Sequence, residues 1–480
     1  MRRGNGRGSV LPLLLVAGLA ACGGTVGEQP VSEAPAQVAQ AAGESGRPTG
    51  ALRWAHLLTG PEDNSGTLVR DRDGGFLAMV NFIGRIDLGE GPVLAPGGAS
   101  SAAVALARYD VQGRLRWVKV LGTPPDLPGR AFGFRHAVDR HRNIILFLDA
   151  DNVEFGEGVV LSGLLLVKLD PQGRHLWSRA FSPAPGFLNV NRIVTDRDDN
   201  IALAGEMAGT VDFGRGPLST REFPVGSPIV SAFLTRFSSS GENLWTFLDV
   251  ENLSQGLGAA VDSQGNLLLC GSITTDVTTE PFVLMLSPAG TVRWVRRLEG
   301  ALGFARSVAT HGNRVVVVGT FAATFTFAGR AHTASINRDF LQDAFVAAFT
   351  RDGEERWAWN FGFSVEDVAM DERDGVVVVG SYEAGSGDLG VLGPLPGNPA
   401  TLANVYVAKF HRVTGEPLWS RGFTSSGPDR GSPGLEGASV AVTKEGRAAV
   451  LGQFSGMLTV GAETLEAEGA SDLFLLGLER

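Results

Sequence analysis

The feature that most constrains this chain is a tryptophan that recurs at nearly regular intervals. Seven of the eight tryptophans stand four residues after a glycine, although 65 glycines in 480 residues predict only about one such pair by chance. The pairs are Gly50/Trp54, Gly113/Trp117, Gly173/Trp177, Gly241/Trp245, Gly290/Trp294, Gly353/Trp357 and Gly415/Trp419. Successive tryptophans of this set are 49 to 68 residues apart. A chain with such a period builds its fold from copies of one unit.

Each unit contains the same four segments in the same order. After Trp294 they are "SVAT" (307–310), "RVVVVGTFAATFTFAG" (314–329), "DAFVAAFT" (343–350) and "RWAWNF" (356–361). Val, Phe, Leu, Ile and Tyr dominate these runs, while Gly, Asn and Asp separate them, which predicts strands joined by turns. The second segments are continuous apolar runs, as expected for strands that are buried on both faces.

Small sheets packed face to face on copies of themselves form a β-propeller. A β-solenoid has a shorter period and no hairpin turns. Seven units supply a first, second and third strand, but the last unit ends at "DLFLLGLER" without a tryptophan strand. The lone segment "GALRWAHLL" (50–58) can complete it. We therefore predict an all-β, seven-bladed β-propeller over residues 50–480, built from four-stranded antiparallel blades. The N-terminal strand closes the ring, and each tryptophan packs between blades.

The pattern "avD..Gn.vvvG" followed by "DaFva..d..G...W" resembles the SBBP-type (seven-bladed β-propeller) repeats of bacterial exported proteins. The resemblance covers residues 50–480, although Thr310 and His311 replace the usual Asp turn in the fifth unit. It implies a propeller fold and an exported location, and it implies no reaction.

The N-terminus carries a targeting signal. Three arginines in the first seven residues precede a ten-residue apolar stretch (10–19), which has the length of a signal-peptide core. The stretch ends in "LAAC", which resembles a bacterial lipobox. The resemblance implies a lipoprotein signal peptide at 1–21 and a mature chain anchored in a membrane by lipid on Cys22. An ordinary secretory signal is the alternative.

Residues 22–49 are rich in Gly, Ala, Pro, Glu and Gln, a composition that predicts a flexible tether. Because Gly23 rather than Asp follows the cysteine, we expect the cell envelope and the outer membrane of a Gram-negative bacterium. Cys270 has no partner if Cys22 is lipidated, and we expect it to be a buried strand residue. The net charge of −10 argues against a nucleic-acid partner.

No motif for catalysis, a metal or a cofactor is complete. "DRDGG" (71–75) and "DERDG" (371–375) resemble the start of a calcium loop but lack its later carboxylates, and hairpin turns explain them. His136, Asp139 and His141 lie close in sequence, but we expect histidines that face solvent or have their hydrogen bonds satisfied. "VTGEPLW" (413–419) resembles the end of a docking motif in quinoprotein propellers, but the other units lack its Thr.

Surplus chain is concentrated on one side of the predicted disc. The connections from first to second strand and from third to fourth strand are tight turns. The connections from second to third strand are long, as at 90–100, 215–228, 329–342 and 390–403. Several connections between blades are also long, as at 123–134 and 424–437. In an up-and-down blade the long set emerges on one face, which we name the long-loop face. The other face is the tight-turn face. Recognition residues usually lie on loops, although neutral loop growth would give the same pattern.

Arginine and aromatic side chains in these connections are the candidate binding residues. They are Arg130, Phe132 and Phe134 in "GRAFGF", and Arg221 and Phe223 in "REF". We predict a monomeric, non-enzymatic recognition or scaffold protein with a protein or polysaccharide partner. The alternative is an extracellular enzyme, polysaccharide-active or quinoprotein-like, with its site at the propeller channel. That alternative requires carboxylates that converge in the channel.

Overall fold

The computed structural model describes residues 49–62, 64–223, 226–275, 278–335, 342–373, 375–382, 395, 404–425, 438–460, 463–469 and 471–480. The predicted signal peptide, Cys22 and nearly all of the predicted tether lie outside these residues, as do most of the connections at 390–403 and 424–437. The described part contains strands and turns and no helix. It therefore contains no helix that could cross a membrane.

Alternating apolar runs and Gly, Asn or Asp turns form the strands of the first four blades. In chain order they are β1 (Leu52–Leu58), β2 (Ser65–Arg70), β3 (Phe76–Ile83), β4 (Arg85–Asp87), β5 (Pro92–Leu94), β6 (Ala102–Tyr109), β7 (Leu115–Leu121), β8 (Arg130–Val138), β9 (Ile144–Glu154), β10 (Val160–Leu169), β11 (His175–Phe181), β12 (Gly186–Thr195), β13 (Ile201–Asp212), β14 (Pro217–Ser219), β15 (Ser231–Phe237), β16 (Asn243–Leu248), β17 (Leu253–Val261), β18 (Leu267–Thr274), β19 (Thr279–Leu286) and β20 (Val292–Arg297).

The remaining strands repeat the pattern. They are β21 (Gly303–His311), β22 (Arg314–Phe321), β23 (Thr324–Phe327), β24 (Arg330–Thr333), β25 (Asp343–Thr350), β26 (Glu355–Phe361), β27 (Asp367–Met370), β28 (Gly375–Tyr382), β29 (Asn404–His411), β30 (Pro417–Ser425), β31 (Ser439–Val442), β32 (Ala448–Phe454), β33 (Met457–Val460), β34 (Glu463–Glu466) and β35 (Asp472–Leu478).

These strands form seven antiparallel four-stranded blades. Blades 1 to 7 have the orders β2-β3-β6-β7, β8-β9-β10-β11, β12-β13-β15-β16, β17-β18-β19-β20, β21-β22-β25-β26, β27-β28-β29-β30 and β31-β32-β35-β1. The predicted β-propeller is confirmed, and so is its closure, because β1 pairs along β35 from Leu52 opposite Leu478 to Leu58 opposite Leu473. The first and last parts of the described chain thus complete one sheet.

The hydrophobic core lies between neighbouring blades. One cluster joins Val316 and Val346 of blade 5 to Val378 and Tyr406 of blade 6. All of Val315–Val318 are buried, because the second strand of each blade is covered on both faces. Cys270 is also fully buried in β18, as expected, and burial raises the pKa of its thiol to about 12.

The glycine–tryptophan pattern joins one blade to the next. The indole nitrogen of Trp294 donates to the carbonyl oxygen of Arg351 (2.8 Å), in the third-to-fourth turn of the following blade. The ring of Trp294 lies against Gly353 of that same turn. The same contact relates Trp54 to Gly113 and Trp419 to Gly50, so it continues around the closed ring. The predicted packing of the tryptophans between blades is confirmed.

The recurring turn aspartates are buried and paired with cations. Asp371 accepts hydrogen bonds from the backbone N–H groups of Arg373 and Gly375, and its carboxylate lies 2.7 Å from Lys409 Nζ on the third strand. Asp139 pairs in the same way with Lys168 at 2.9 Å. The Asp therefore serves both as a turn residue and as the partner of a buried cation.

Three strand boundaries given above differ from the structure, and the first is that β21 begins at Gly303 rather than at Ser307. The long second segment at 314–329 is β22 followed by a separate hairpin of β23 and β24. "GRAFGF" was assigned to a connection, but Arg130 to Phe134 form the beginning of β8. Gly129 and Gly133 explain the error, because glycines around a short segment are typical of a loop, whereas the alternating burial of this stretch shows a strand.

Candidate functional site

The first strands of all seven blades line a central channel of ≈ 730 Å³. Each first strand enters from the long-loop face and ends at the tight-turn face. The channel is therefore built from seven equivalent strand edges, and its chemistry depends on the few polar side chains that these strands carry.

A β-bulge interrupts the first strand in blades 2 to 5. The pairing register shifts at Phe134, Asn191, Leu257 and Arg306, which are equivalent residues of β8, β12, β17 and β21. A bulge places two successive residues opposite one partner residue and redirects a side chain. In blade 3, for example, both Asn191 and Arg192 line the channel.

Each first strand has an equivalent position four residues before the residue that begins the first-to-second turn. We name the seven residues at this position the channel ring. The position is occupied in blades 1 to 7 by Thr67, Arg135, Arg192, Gly258, Ser307, Asp367 and Ser439. Six of these residues are polar or charged within otherwise apolar strands. Sequence reasoning missed them, although a charge four residues before a turn Asp in "GFRHAVD", "VNRIVTD" and "VEDVAMD" was a usable signal.

An ion pair crosses the channel ring from blade 3 to blade 6. Arg192 Nη2 donates to the carboxylate of Asp367 and to Ser307 Oγ (2.7 Å), and Ser307 Oγ donates to the same carboxylate (2.7 Å). The other oxygen of Asp367 accepts the backbone N–H of Val440 (3.1 Å). The carboxylate of Asp367 thus accepts three hydrogen bonds, two on one oxygen and one on the other.

His136 lies next to the ring and is only 3% exposed. Its Nδ1 is 3.0 Å from Thr67 Oγ1, and its Nε2 is 2.9 Å from the carbonyl oxygen of Leu77. Burial lowers the pKa of His136 to about 4, so the imidazole is neutral near pH 7. The expectation of a histidine with satisfied hydrogen bonds is correct for this residue.

Arg135 is a channel cation without a carboxylate partner among the described residues. Its Nε donates to the carbonyl oxygen of Asn191 (2.6 Å), and its Nη1 donates to that of Phe134 (2.7 Å). Burial and the nearby charge of Arg192 lower the pKa of Arg135 to about 10. The guanidinium remains charged near pH 7 but is poorly compensated.

Carboxylates do not converge in the described part of the channel. Two of them, Glu366 and Asp367, are neighbours in blade 6. Glu366 lies 3.5 Å from Arg306, and Asp367 is paired with Arg192. Two-carboxylate hydrolysis needs an acid and a base held on opposite sides of a substrate, and this pair has no such arrangement.

The candidate binding residues of "GRAFGF" lie at the long-loop end of β8. Arg130 pairs with Asp149 at 2.9 Å and remains exposed. Phe132 is 42% exposed and contacts Phe134 edge-to-face at 5.3 Å. Phe134 also packs toward Phe147 of the core, so this candidate binding residue contributes to packing within the propeller.

Arg221 and Phe223 lie in the second-to-third connection of blade 3, as predicted, and both are exposed. Arg221 donates to the carbonyl oxygen of Glu251 (3.3 Å). Residues 130–134 and 221–223 therefore belong to neighbouring blades on the same face, but no contact between the two groups is found in the described part of the chain.

Asp139, His141 and Asp199 come together at the tight-turn face, with potential ligand atoms within 4.8 Å of one another. Their carboxylates already have partners. Asp139 is paired with Lys168 (2.9 Å), and Asp199 accepts Arg140 Nε (2.9 Å) and lies 2.8 Å from His141 Nδ1. A cation here would have to displace these contacts.

Exposed large apolar side chains concentrate on the long-loop face. Ten of the fifteen in the described chain lie there: Ile83, Leu94, Leu127, Phe132, Val160, Phe187, Phe223, Val250, Leu302 and Met457. Four more lie on outer strands, at Leu176, Leu244, Val292 and Val295. On the tight-turn face only Val413 is exposed to this degree among the described residues.

Comparisons with known proteins give distant similarities. No protein-family model matches the chain. An uncharacterized WD repeat-containing protein of Acanthamoeba polyphaga mimivirus is 28% identical over 109 residues, so the chain matches through 22% of its own length and spans 8% of that relative.

Solved structures that are similar include BamB from Moraxella catarrhalis (12% identity, TM-score 0.39, 90% of this chain and 100% of that one). They also include an oligogalacturonate lyase in complex with manganese (13%, 0.42, 90% and 99%) and the Pyrococcus horikoshii acylaminoacyl peptidase (10%, 0.40, 84% and 52%). Similarity at this level carries no argument about function.

Proposed function

We propose that this protein is a lipid-anchored, non-enzymatic recognition or scaffold protein of the cell envelope that binds a protein or polysaccharide partner through its long-loop face. The observation that carries the proposal is the concentration of exposed apolar side chains on that face. Single exposed apolar residues are normal, whereas a concentration on one face is typical of an interaction site.

The two faces differ in a second way that supports this proposal. Several connections on the long-loop face carry their own strands, as in the β4–β5, β23–β24 and β33–β34 hairpins. The tight-turn face consists of short Asp and Gly turns. Elaborated connections on a rigid scaffold are where recognition residues usually lie.

The enzymatic alternative has less support. Hydrolysis of a polysaccharide needs carboxylates that can exchange protons with substrate. The carboxylate of Asp367 is held by Arg192, Ser307 and a backbone N–H group, and Glu366 faces Arg306. We therefore favour binding without catalysis.

Site-specific photo-crosslinking on intact cells tests the proposal. The photoreactive residue replaces Phe132 or Phe223 on the long-loop face, and Gln172 or Gln264 in exposed turns of the opposite face serve as matched controls. We expect one adduct of the same mass from both long-loop positions and none from the controls. Equal crosslinking from both faces would contradict the proposal.

A variant with Arg130→Ala, Phe132→Ala and Phe223→Ala then measures the contribution of these side chains to binding of the crosslinked partner. We expect affinity to fall by about tenfold or more, because arginine and aromatic residues are common anchors of interfaces. The melting temperature should change little, since none of the three side chains is buried in the core. Unfolding with unchanged binding per folded molecule would assign them to the core instead.

A further inference from the structure

The central channel is positively charged in a protein of net negative charge. Five arginines line its described part, namely Arg70, Arg72, Arg135, Arg192 and Arg306, against the two carboxylates of Glu366 and Asp367, and the carboxylate of Glu372 lies 3.9 Å from Arg70. His136 adds no charge near pH 7 because its pKa is lowered. The chain as a whole has a formal charge of −10. A cavity of one sign with low-dielectric walls concentrates ions of the opposite sign.

Arg135 has donor capacity that the protein does not use. A guanidinium has five N–H donors, and the contacts with Asn191 and Phe134 use one on Nε and one on Nη1. Arg135 lines the channel, and its Nη2 makes no hydrogen bond with any residue that the structure describes. A planar pair of N–H groups matches a carboxylate or phosphate oxygen pair.

The electrostatic environment of Arg135 also favours an anion. Burial and the charge of Arg192 both lower its pKa, while the carboxylate of Asp367 acts in the opposite direction. Asp367 pairs directly with Arg192 and forms no ion pair with Arg135 in the described structure, so it compensates the charge of Arg135 only at longer range. A bound oxyanion would supply the missing charge.

The cavity has a suitable size and further polar groups. Its ≈ 730 Å³ lies within the range of about 300–1,000 Å³ that is typical of small-molecule sites. The hydroxyl groups of Thr67 and Ser439 and the amide of Asn81 belong to its lining. Of these, the hydroxyl group of Ser439 can donate to an anion. The Thr67 hydroxyl already donates to His136 Nδ1, and both amide N–H groups of Asn81 donate to Ser65 Oγ and to the carbonyl oxygen of Gly133.

We propose that the central channel is a binding site for a small oxyanion, carboxylate or phosphate, with Arg135 as its bidentate anchor. The site does not depend on the proposed function, because it uses the channel rather than the connections of the long-loop face. A structural role is the alternative, in which Arg135 only ties blade 2 to blade 3 through the carbonyl oxygen of Asn191.

Isothermal titration of the purified propeller with inorganic phosphate, and separately with succinate, tests the site and distinguishes the two anions. We expect saturable binding of at least one of them with one site per chain. The Arg135→Met variant should lose about tenfold or more in affinity. Arg114→Gln, which changes an exposed arginine in a remote turn, should bind like the unchanged protein.

The melting temperature separates the two roles of Arg135. Arg135→Met removes an uncompensated charge together with two hydrogen bonds to carbonyl oxygens, so the decisive measurement is the shift of the melting temperature on adding the anion rather than the melting temperature of the ligand-free protein. If the residue is an anion anchor, the anion should no longer raise the melting temperature of this variant. A structural tie predicts the opposite, a shift on adding the anion that the variant retains.

Arg135→Lys provides a second measurement if the methionine variant does not fold. It keeps the charge but lacks paired N–H donors, so bidentate binding predicts an affinity weaker by several-fold. Unchanged binding in Arg135→Lys, or no saturable binding of phosphate or succinate to the unchanged protein, would overturn the proposal.

Discussion

At the scale of single residues, the repeated glycine has two separate reasons to be glycine. Gly173 has φ +79°, a conformation that costs an L-residue about 1–2 kcal/mol. It also lies under the indole ring of Trp117 from the preceding blade, so an added Cβ would be 2.8 Å from Cζ2. The contact explains why glycine and tryptophan recur together along the chain.

We predict that Gly173→Ala destabilises the protein by about 1–3 kcal/mol more than Gly265→Ala does. Gly265 has nearly the same backbone angle, φ +78°. A Cβ added to Gly265 would have Pro288 as its nearest neighbour, at the uncrowded distance of 3.6 Å. The control therefore carries the backbone cost without the clash. Urea denaturation of both variants measures the difference, and equal losses would show that Trp117 adapts freely.

The sequence predicts this glycine and tryptophan but not their contact. Gly173 and Trp177 stand four residues apart, yet the partner of Gly173 is Trp117 of the preceding unit. The spacing within one unit indicates that both residues are part of the repeat, but it does not predict which residues of different units are in contact. The channel ring shows the same limit, since no local pattern places Arg192 beside Asp367, 175 residues later.

At the scale of elements, the boundaries of strands were harder to predict than their number. A strand with continuous apolar residues, such as Val376–Val379, is evident from sequence because burial on both faces demands it. β8 was truncated in the prediction because Gly133, beside the bulge at Phe134, resembles a loop residue. Bulges and glycines within a strand remove the alternation on which such predictions depend.

The element with the clearest consequence is β1, because it completes a blade that begins more than 380 residues later. Deleting residues 50–58 exposes the backbone edge of β35 and leaves Trp419 without Gly50. We predict a melting temperature lower by about 10 °C or more, together with self-association through the open edge. Calorimetry and light scattering measure the two effects.

Two controls make this test specific. Deleting residues 23–46, which precede the compact unit that begins at Arg47, should leave the melting temperature unchanged. A synthetic peptide of residues 49–59, added to the protein that lacks 50–58, should restore part of the lost stability by occupying the edge of β35. A shortened protein that melts like the full chain would show that β1 does not close the ring.

At the scale of the whole molecule, the propeller combines a face of tight turns, an elaborated face and a charged channel. The fold and its closure follow from a count of repeats, since seven weak motifs in order exclude most other architectures. The count of repeats does not predict which side chains meet in the channel, because each blade contributes only one residue to the channel ring. The chemistry of the centre therefore becomes visible only when all seven blades are assembled.

At the same scale, we predict that the whole molecule is attached to a membrane and that this attachment depends on Cys22. The Cys22→Ala protein should move from the membrane fraction to the soluble fraction, because acyl chains supply the apolar surface that holds such a protein at a bilayer. Cys270→Ala is the matched control. The Cys270 side chain is buried in β18, so the Cys270→Ala protein should stay in the membrane fraction with a modest loss of stability.

Fractionation of cells and the mass of the N-terminal peptide measure the outcome. A Cys22→Ala protein that remains membrane-bound, or an unmodified Cys22 in the native protein, would show that the lipobox resemblance is misleading.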